Sequence, residues 1–416
     1  MRRRVVVTGM GAVTALGNSW RDVSRKLRDD ESAIRYMSEW ADVEGLNCLL
    51  GAPIIDFTCS PAITRKHRRA MGPAGEFSVT AVEMALSQAD MLDHPSLTNG
   101  STGVAFGSSA GSVDAIMEFG GVLHNRTLDT INATSYVRMM PHTLAANVGL
   151  FFGLQGRLIP TCSACTSSSQ AIVFATEAIR HGYQDVMIAG GADELNVTHT
   201  AVFDLLYATS TRNDAPEATP RPFDIDRDGL VIGEGGAAMV LESLDHAAAR
   251  GATILAEVVG VATNSDGRHV TQPTAATMER VMLMALEDSR LEAGDIGYVS
   301  AHATATLAGD VAEAQATERA LGRNVLVSSL KGYFGHTLGA CGAIEAWLAI
   351  EMLNNSWFAG NRMLETIDPE CGKLNYVMDS AGIELSCDRI MTNNFAFGGV
   401  NTSIIFAKYK NDGDDA

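Results

Sequence analysis

The sequence contains no uninterrupted apolar stretch of the roughly 18–20 residues needed to span a bilayer, so membrane insertion is not expected. It also lacks any long lysine or arginine run. Asp and Glu number 49 against 31 for Lys and Arg, giving a formal net charge of −18. Phosphate binding needs clustered cations, which argues against a general nucleic-acid or anionic-membrane surface. The best local basic patch is Arg65-Lys66-His67-Arg68-Arg69, which is otherwise a solvated helix end. Seven scattered cysteines form no even framework, as expected for a reducing cytoplasm. Asn-x-Ser/Thr triplets such as Asn132-Ala133-Thr134 are then chance matches. Met1-Arg2-Arg3-Arg4 and Val5-Val6-Val7 open like a secretory signal, but Thr8, Gly9 and Gly11 break the apolar segment at once. Short-period repeats and low-complexity tracts are missing too. Aromatics make up only 6%, whereas glycines number 40, which points to tight turns and close helix–sheet packing.

What remains is ample for folding: 416 residues, 46% of them hydrophobic, can bury one large core or two fused ones. Short β-branched runs alternate with Ala-rich helical stretches, the pattern of an α/β layered fold. Strands are expected at 5–8, 102–106, 186–189 and 237–241, and helices at 76–89, 167–181 and 244–250. The second half restarts the pattern. Strands are expected there at 254–261, 298–301, 325–328 and 403–408, with helices at 277–289 and 339–353. The segment 260–267 loosely echoes the glycine-bearing 9–17, which suggests a duplicated architecture. Expected boundaries are 1–252 and 253–408, followed by a flexible acidic tail at 409–416. Gly9-x-Gly11 after a strand invites a dinucleotide reading, but Thr14 stands where the third glycine belongs and no acidic ribose contact follows. A strand entering a glycine turn fits better.

The strongest chemical signal is Pro160-Thr161-Cys162-Ser163-Ala164-Cys165-Thr166-Ser167 ahead of the apolar stripe Ala171, Ile172, Phe174, Ala175, Ala178 and Ile179. That stripe places Cys165 at or just before a helix start, where free N–H groups and the macrodipole favour a thiolate. A lone cysteine at such a turn is more often a structural thiol. Cys162-x-x-Cys165 as a redox pair lacks the expected context, and no second Cys/His pair offers metal-ligand spacing. Two histidines shift the balance. His302 follows a strand in Ser300-Ala301-His302-Ala303-Thr304-Ala305-Thr306. His336 sits in the glycine-rich turn Lys331-Gly332-Tyr333-Phe334-Gly335-His336-Thr337-Leu338-Gly339. Both lie at strand-to-helix junctions, where α/β sites assemble.

With Cys165-Thr166-Ser167, His302-x-Thr304-x-Thr306, Lys331, Gly335-His336 and Glu345 in order, the chain resembles the β-ketoacyl-acyl-carrier-protein synthases of the thiolase superfamily. Further matches are Ser210-Thr211-Arg212-Asn213-Asp214, Arg221-Pro222-Phe223-Asp224 through Arg227-Asp228-Gly229, and Asn394-Phe395-Ala396-Phe397-Gly398-Gly399. The elongating type, similar to synthases I and II, fits better than the initiating type, which has Asn where His336 stands. The resemblance implies a five-layered α-β-α-β-α thiolase fold from two related halves, and a decarboxylating condensation. Cys165 would carry the acyl chain, and His302 and His336 would bind the malonyl thioester carbonyl. The N–H groups of Cys165 and Phe397 would form the oxyanion hole. Lys331 and Glu345 would support the site, and Thr304 and Thr306 would contact the pantetheine arm. Phe203, Ala110, Phe395, Phe397, Gly398 and Gly399 would shape the acyl pocket and its gate. No metal or organic cofactor is implied. The implied partners are an acyl carrier protein and a second synthase or related subunit in a homo- or heterodimer.

Three departures bear on substrate choice. Ala110 stands where related synthases carry a larger aliphatic residue, which implies a roomier pocket. Ala303 replaces a usual glycine. Tyr207 stands where relatives have a carrier-binding arginine, leaving Lys66 and Arg69 as the best-aligned basic contacts. The wording of Tyr333–Ala343 and Asn393–Gly399 is similar to synthases of bacterial aryl-polyene pathways. The rival readings are a housekeeping fatty-acid synthase and a non-catalytic chain-length subunit, the latter opposed by the intact Cys165–His302–His336 set. A degradative thiolase would need a second catalytic cysteine, and Cys387 lies outside the Asn394–Gly399 motif.

Overall fold

The computed structural model describes residues 2–410. Ten-residue Val5–Thr14 is buried along its whole length and pairs antiparallel with Gly235–Ser243. The latter pairs antiparallel with Val186–Asp193, beyond which Thr102–Gly107 and Leu158–Thr161 add in parallel. The second half repeats this order. Ala256–Ser265 pairs antiparallel with Val400–Ala407, and that strand with Arg389–Ala396. Tyr298–Ser300 and Leu326–Ser328 then add in parallel. The two sheets are continuous through one short seam, Val6 opposite Glu257 and Val7 opposite Ala256.

Pro73–Gln88 and Thr143–Phe152 pack on the first sheet, Ala275–Ser289 on the second beside Leu307–Leu321. Ser167–Arg180 and Cys341–Asn355 pack on each other and touch both sheets. Twelve of the fifteen residues of Cys341–Asn355 are buried. A helix apolar on every side belongs between two sheets rather than at a surface. The result is the expected five-layered thiolase-like α/β arrangement.

Gly9 and Gly11 do not form a turn. The strand runs straight through both to Thr14, and the glycines admit a helix instead. A Cβ at Gly9 would meet the Ala85 carbonyl at 2.1 Å, and one at Gly11 the Ala81 carbonyl at 2.2 Å, both on Pro73–Gln88. Gly260 has the matching role in the second half, where a Cβ would meet the Ala285 carbonyl of Ala275–Ser289 at 2.5 Å. The faint echo between 9–17 and 260–267 is thus one packing requirement met twice.

Gly342 serves the central layer. A Cβ there would lie 2.9 Å from the Ser169 backbone nitrogen, and the Ala343 N–H reaches Ser168 Oγ at 2.9 Å. The N-terminal ends of the two central helices therefore meet, bringing the segments before them together. At the C-terminal end, Lys410 pairs with Asp388 at 3.0 Å. Residues 411–416 of the expected tail lie outside the described residues. No helix among the described residues is long and apolar enough to cross a membrane.

Candidate active site

The chain turns through a left-handed Ala164 (φ 51°) into Cys165, and the helix begins at Ser167 behind its cap Thr166. Cys165 Sγ lies 2.9 Å from His336 Nε2. The backbone N–H groups of Phe397 and of Cys165 itself are also directed at the sulfur. The thiolate expected from the helix start is not the resting form. Cys165 is only 5% exposed, and burial pushes its thiol up to about 12, against the opposing pull of Lys331 and the two N–H groups. Desolvation exceeds whatever a helix start supplies, so the sulfur rests as the thiol.

His336 is pinned by its backbone. Its N–H reaches the Val231 carbonyl at 2.7 Å, and its carbonyl accepts from Gly233 at 3.0 Å. Gly335 (φ 68°) is required before it, because a Cβ would stand 2.8 Å from the Val231 carbonyl. His302 crosses His336 edge-on, with ring centroids 5.2 Å apart. Burial and the Lys331 charge hold both imidazoles well below their ordinary range, with His336 adding to the effect on His302. Both rings are therefore neutral near pH 7. Each then carries one N–H and one lone pair.

Behind them, Lys331 pairs with Glu345, both almost fully buried. Burial pulls the Lys331 ammonium down, but Glu345, together with Cys341 and Glu313, more than restores it and keeps it charged. Asn394 Nδ2 reaches Glu345 Oε2 at 2.7 Å and His302 Nδ1 at 3.5 Å, joining the ion pair to the imidazole.

Four contributors were not anticipated from the sequence. Glu313 accepts from the His302 and Ala303 N–H groups at 2.8 and 2.6 Å, and burial pushes it up to about 8. Asp310, one helical turn earlier, takes the Ala305 N–H at 3.1 Å. Together they fix the 302–306 loop. Asp193 accepts from Gly339 and from Ser108 and Ser109, tying the His336 turn to the first sheet. Cys341 directs its thiol at the Cys165 carbonyl, 3.3 Å away. Asn394 stood within a recognised motif. Glu313 lies eleven positions beyond His302, with no local pattern to mark it.

A cavity of about 330 Å³ reaches Cys165, His302 and His336. Thr304 and Thr306 line it, their hydroxyls 3.1 Å apart, together with Phe203, Phe395, Phe397 and Gly399. Phe203 and Phe397 meet at 5.1 Å between ring centroids. Gly398 (φ 87°) and Gly399 (φ 71°) make the turn that follows, and a Cβ on Gly399 would lie 2.8 Å from the Asp266 side chain. Ala303 is buried, its carbonyl accepting from the Ser329 hydroxyl at 2.7 Å.

Ala110 does not line this cavity. It lies half-buried in the turn after Thr102–Gly107, one residue past Ser109, which abuts Gly339. Lys66 and Arg69 are exposed on the short helix Arg65–Arg68 and its cap, also away from the cavity. Cys162 points at the Ser109 carbonyl, so it forms no pair with Cys165. Cys387 packs near Gly297, at the far end of the strand that carries Phe395. The Cys165, His302 and His336 donor atoms lie within 4.8 Å of one another, as do those of His302, Cys341 and Glu345. Either set has the chemistry to take a thiophilic cation, opposed by the nearby Lys331 charge.

Residues 2–247 match the N-terminal domain of beta-ketoacyl synthases, and residues 255–365 match their C-terminal domain. The chain is 34% identical to 3-oxoacyl-[acyl-carrier-protein] synthase 1 of Haemophilus influenzae, over 98% of this chain and 99% of that one. Among solved structures, a beta-ketoacyl synthase from Burkholderia phymatum is 51% identical, with a TM-score of 0.96 over 98% of this chain and all of that one. The ishigamide ketosynthase/chain length factor is 27% identical, with a TM-score of 0.89 over 99% and 100%.

Proposed function

The chain belongs to the β-ketoacyl synthase family and is a 3-oxoacyl-[acyl-carrier-protein] synthase, an acyltransferase; from that premise we propose how its residues share the reaction. One observation carries the assignment: His336 Nε2 and the N–H groups of Cys165 and Phe397 all converge on the Cys165 sulfur.

Cys165 attacks an acyl thioester of the carrier protein while His336 takes the thiol proton. The two N–H groups hold the oxyanion, the carrier thiolate leaves, and it takes that proton. A malonyl thioester then enters past Thr304 and Thr306. His302 and His336 donate to its thioester carbonyl oxygen, His336 from the neutral tautomer protonated at Nε2, which it reaches by proton exchange with water once the sulfur is acylated. The C–C bond to the carboxylate breaks, CO2 departs, and the electron pair becomes an enolate held by those donors. The enolate carbon attacks the acyl-Cys165 carbonyl. Collapse of that adduct forms the β-ketoacyl thioester and expels the Cys165 thiolate, which takes the His336 Nε2 proton, restored to the cycle by one proton from water per CO2 released. Lys331, Glu345 and Asn394 act as positioning residues, and Phe395, Phe397, Gly398 and Gly399 act as the gate.

The acyl chain is read as long or unsaturated, of the aryl-polyene kind. Support comes from the wording of 333–343 and 393–399, and from Ala110 as a small residue where related synthases carry a larger aliphatic one. Fatty-acid elongation with saturated chains is the second reading, favoured by the likeness to the Haemophilus enzyme. Lys66 and Arg69 are proposed as cationic contacts for the carrier. The division into 1–252 and 253–408 follows the repeated strand order. Seven free cysteines fit a cytoplasmic setting. A dimer with a second copy or a related subunit is supported by the outer edge of Leu158–Thr161, which ends the sheet beside exposed Leu158 and Leu150.

Intact-mass analysis after incubation with defined acyl-carrier thioesters tests the proposal. Wild-type protein should gain one acyl group and Cys165→Ala none; equal loading of Cys165→Ala would sink the mechanism. Polyenyl or aryl chains should load at least as well as saturated ones. Loading of short saturated chains alone overturns the pocket argument.

A further inference from the structure

The mouth of the cavity has a chemistry of its own. Helix Val197–Asp204 turns Phe203 inward against Phe397 and then ends in three apolar residues that face out. Leu205 is 79% exposed, Leu206 45% and Tyr207 91%. Across the opening stand Val270 and Leu307, each 64% exposed. Leu206, Tyr207, Val270 and Leu307 line one opening, with Leu205 next to them in the chain, unlike scattered surface hydrophobics, which need no explanation.

Tyr207 is held there rather than left loose. Its backbone is left-handed (φ 52°), a conformation bulky side chains rarely adopt. The turn that imposes it is anchored by Asp204, whose carboxylate takes the N–H groups of Asn47 and Cys48 and the Thr209 hydroxyl. Strain of this kind persists only where surrounding contacts enforce it, and it clusters at functional positions.

Charge supplies the second line of argument. No lysine or arginine lines the cavity or its mouth among the described residues, whereas Asp266 does, as does Asp228, paired from behind with Arg212 at 3.5 Å. Arg268, exposed between Asp266 and Val270, is the one Lys or Arg of that loop. An enzyme of net charge −18 gains no long-range attraction for an acidic partner at such an opening. The same charge disfavours an anionic membrane as the occupant.

We infer that the mouth is a docking platform for an apolar face of the acyl carrier protein, with Tyr207 as its anchor and Leu205, Leu206, Val270 and Leu307 around it. This rests on the carrier-dependent reaction proposed above. The face recognised lies beside the carrier's pantetheine attachment point, because the arm must enter the cavity while the protein is held outside it. Affinity at this half of the interface comes from desolvating aromatic and aliphatic surface, leaving Lys66 and Arg69 a lesser share.

The test compares acylation of Cys165 by an acyl-carrier thioester with acylation by the same acyl group on free pantetheine, in the wild type and in Tyr207→Ser and Leu205→Ser. The carrier-free rate is the internal reference, so a folding defect lowers both rates and cancels in their ratio. The ratio should fall about tenfold or more in Tyr207→Ser and several-fold in Leu205→Ser, as expected for an anchor and its neighbour. Wild-type KM for the carrier thioester should change less than twofold between low and high NaCl, because apolar contacts are not screened. A steep rise of KM with salt and an unchanged ratio in both variants overturn the inference. So does binding of the wild type, lost in Tyr207→Ser, to neutral lipid vesicles instead of carrier. Failure of both thioesters to acylate Cys165 refutes the proposed reaction and is thereby distinguished from failure of the docking surface.

Discussion

At the scale of residues, burial sets the protonation of the site, and one buried cation reinforces it at both imidazoles. Lys331 favours the Cys165 thiolate and disfavours both imidazolium ions. A His whose folded pKa is depressed stays neutral, and so able to accept the thiol proton, further into acid. The acid limb of kcat/KM should therefore lie well below pH 6.5, with little change between pH 8 and 6. In the double variant Lys331→Met, Glu345→Gln, which removes the cation without stranding its partner, the imidazole pKa values rise. The acid limb then moves to higher pH but stays below 6.5, because burial, the larger cause for both rings, remains. A pH–rate profile of both proteins checks the direction; an unmoved limb means Lys331 acts by packing alone.

At the scale of elements, what matters is how closely helices approach strands. Gly9, Gly11 and Gly260 permit contacts that any side chain would obstruct. Gly11→Ala drives a methyl to 2.2 Å from a backbone carbonyl, which cannot swing away as a side-chain tip would. A loss of about 1–3 kcal/mol is expected, typical of over-packing. It should appear as a lower thermal midpoint, whereas alanine at exposed Gly294, with nothing within 4 Å, should leave the midpoint nearly unchanged. Element types were legible because period-2 and period-3.6 patterns are local. The reach of Val5–Thr14 was not, since its glycines read as a turn until the helix packed on them is known.

At the scale of the whole molecule, duplication creates the site. Two sheets with the same strand order enclose two central helices, and the loops before those helices bring Cys165 and His336 together. The outer edge of Leu158–Thr161, flanked by Leu150 at 80% exposure, is where self-association is expected. Light scattering should find a dimer for the wild type and a monomer for Leu150→Asp, Leu158→Asp; an unchanged mass would place the interface elsewhere.

The sequence by itself picked out Cys165, His302 and His336 and determined the family, because each motif is contiguous and its residue types suit one chemistry. It determined the layered α/β class for the same reason, since hydrophobic period is written locally. Only the tertiary structure decided the protonation of Cys165, because desolvation depends on everything packed around the sulfur. It alone revealed Glu313 under the His302 loop, and it left Ala110 outside the open cavity. Those facts depend on distances between segments far apart in the chain, which no local pattern encodes.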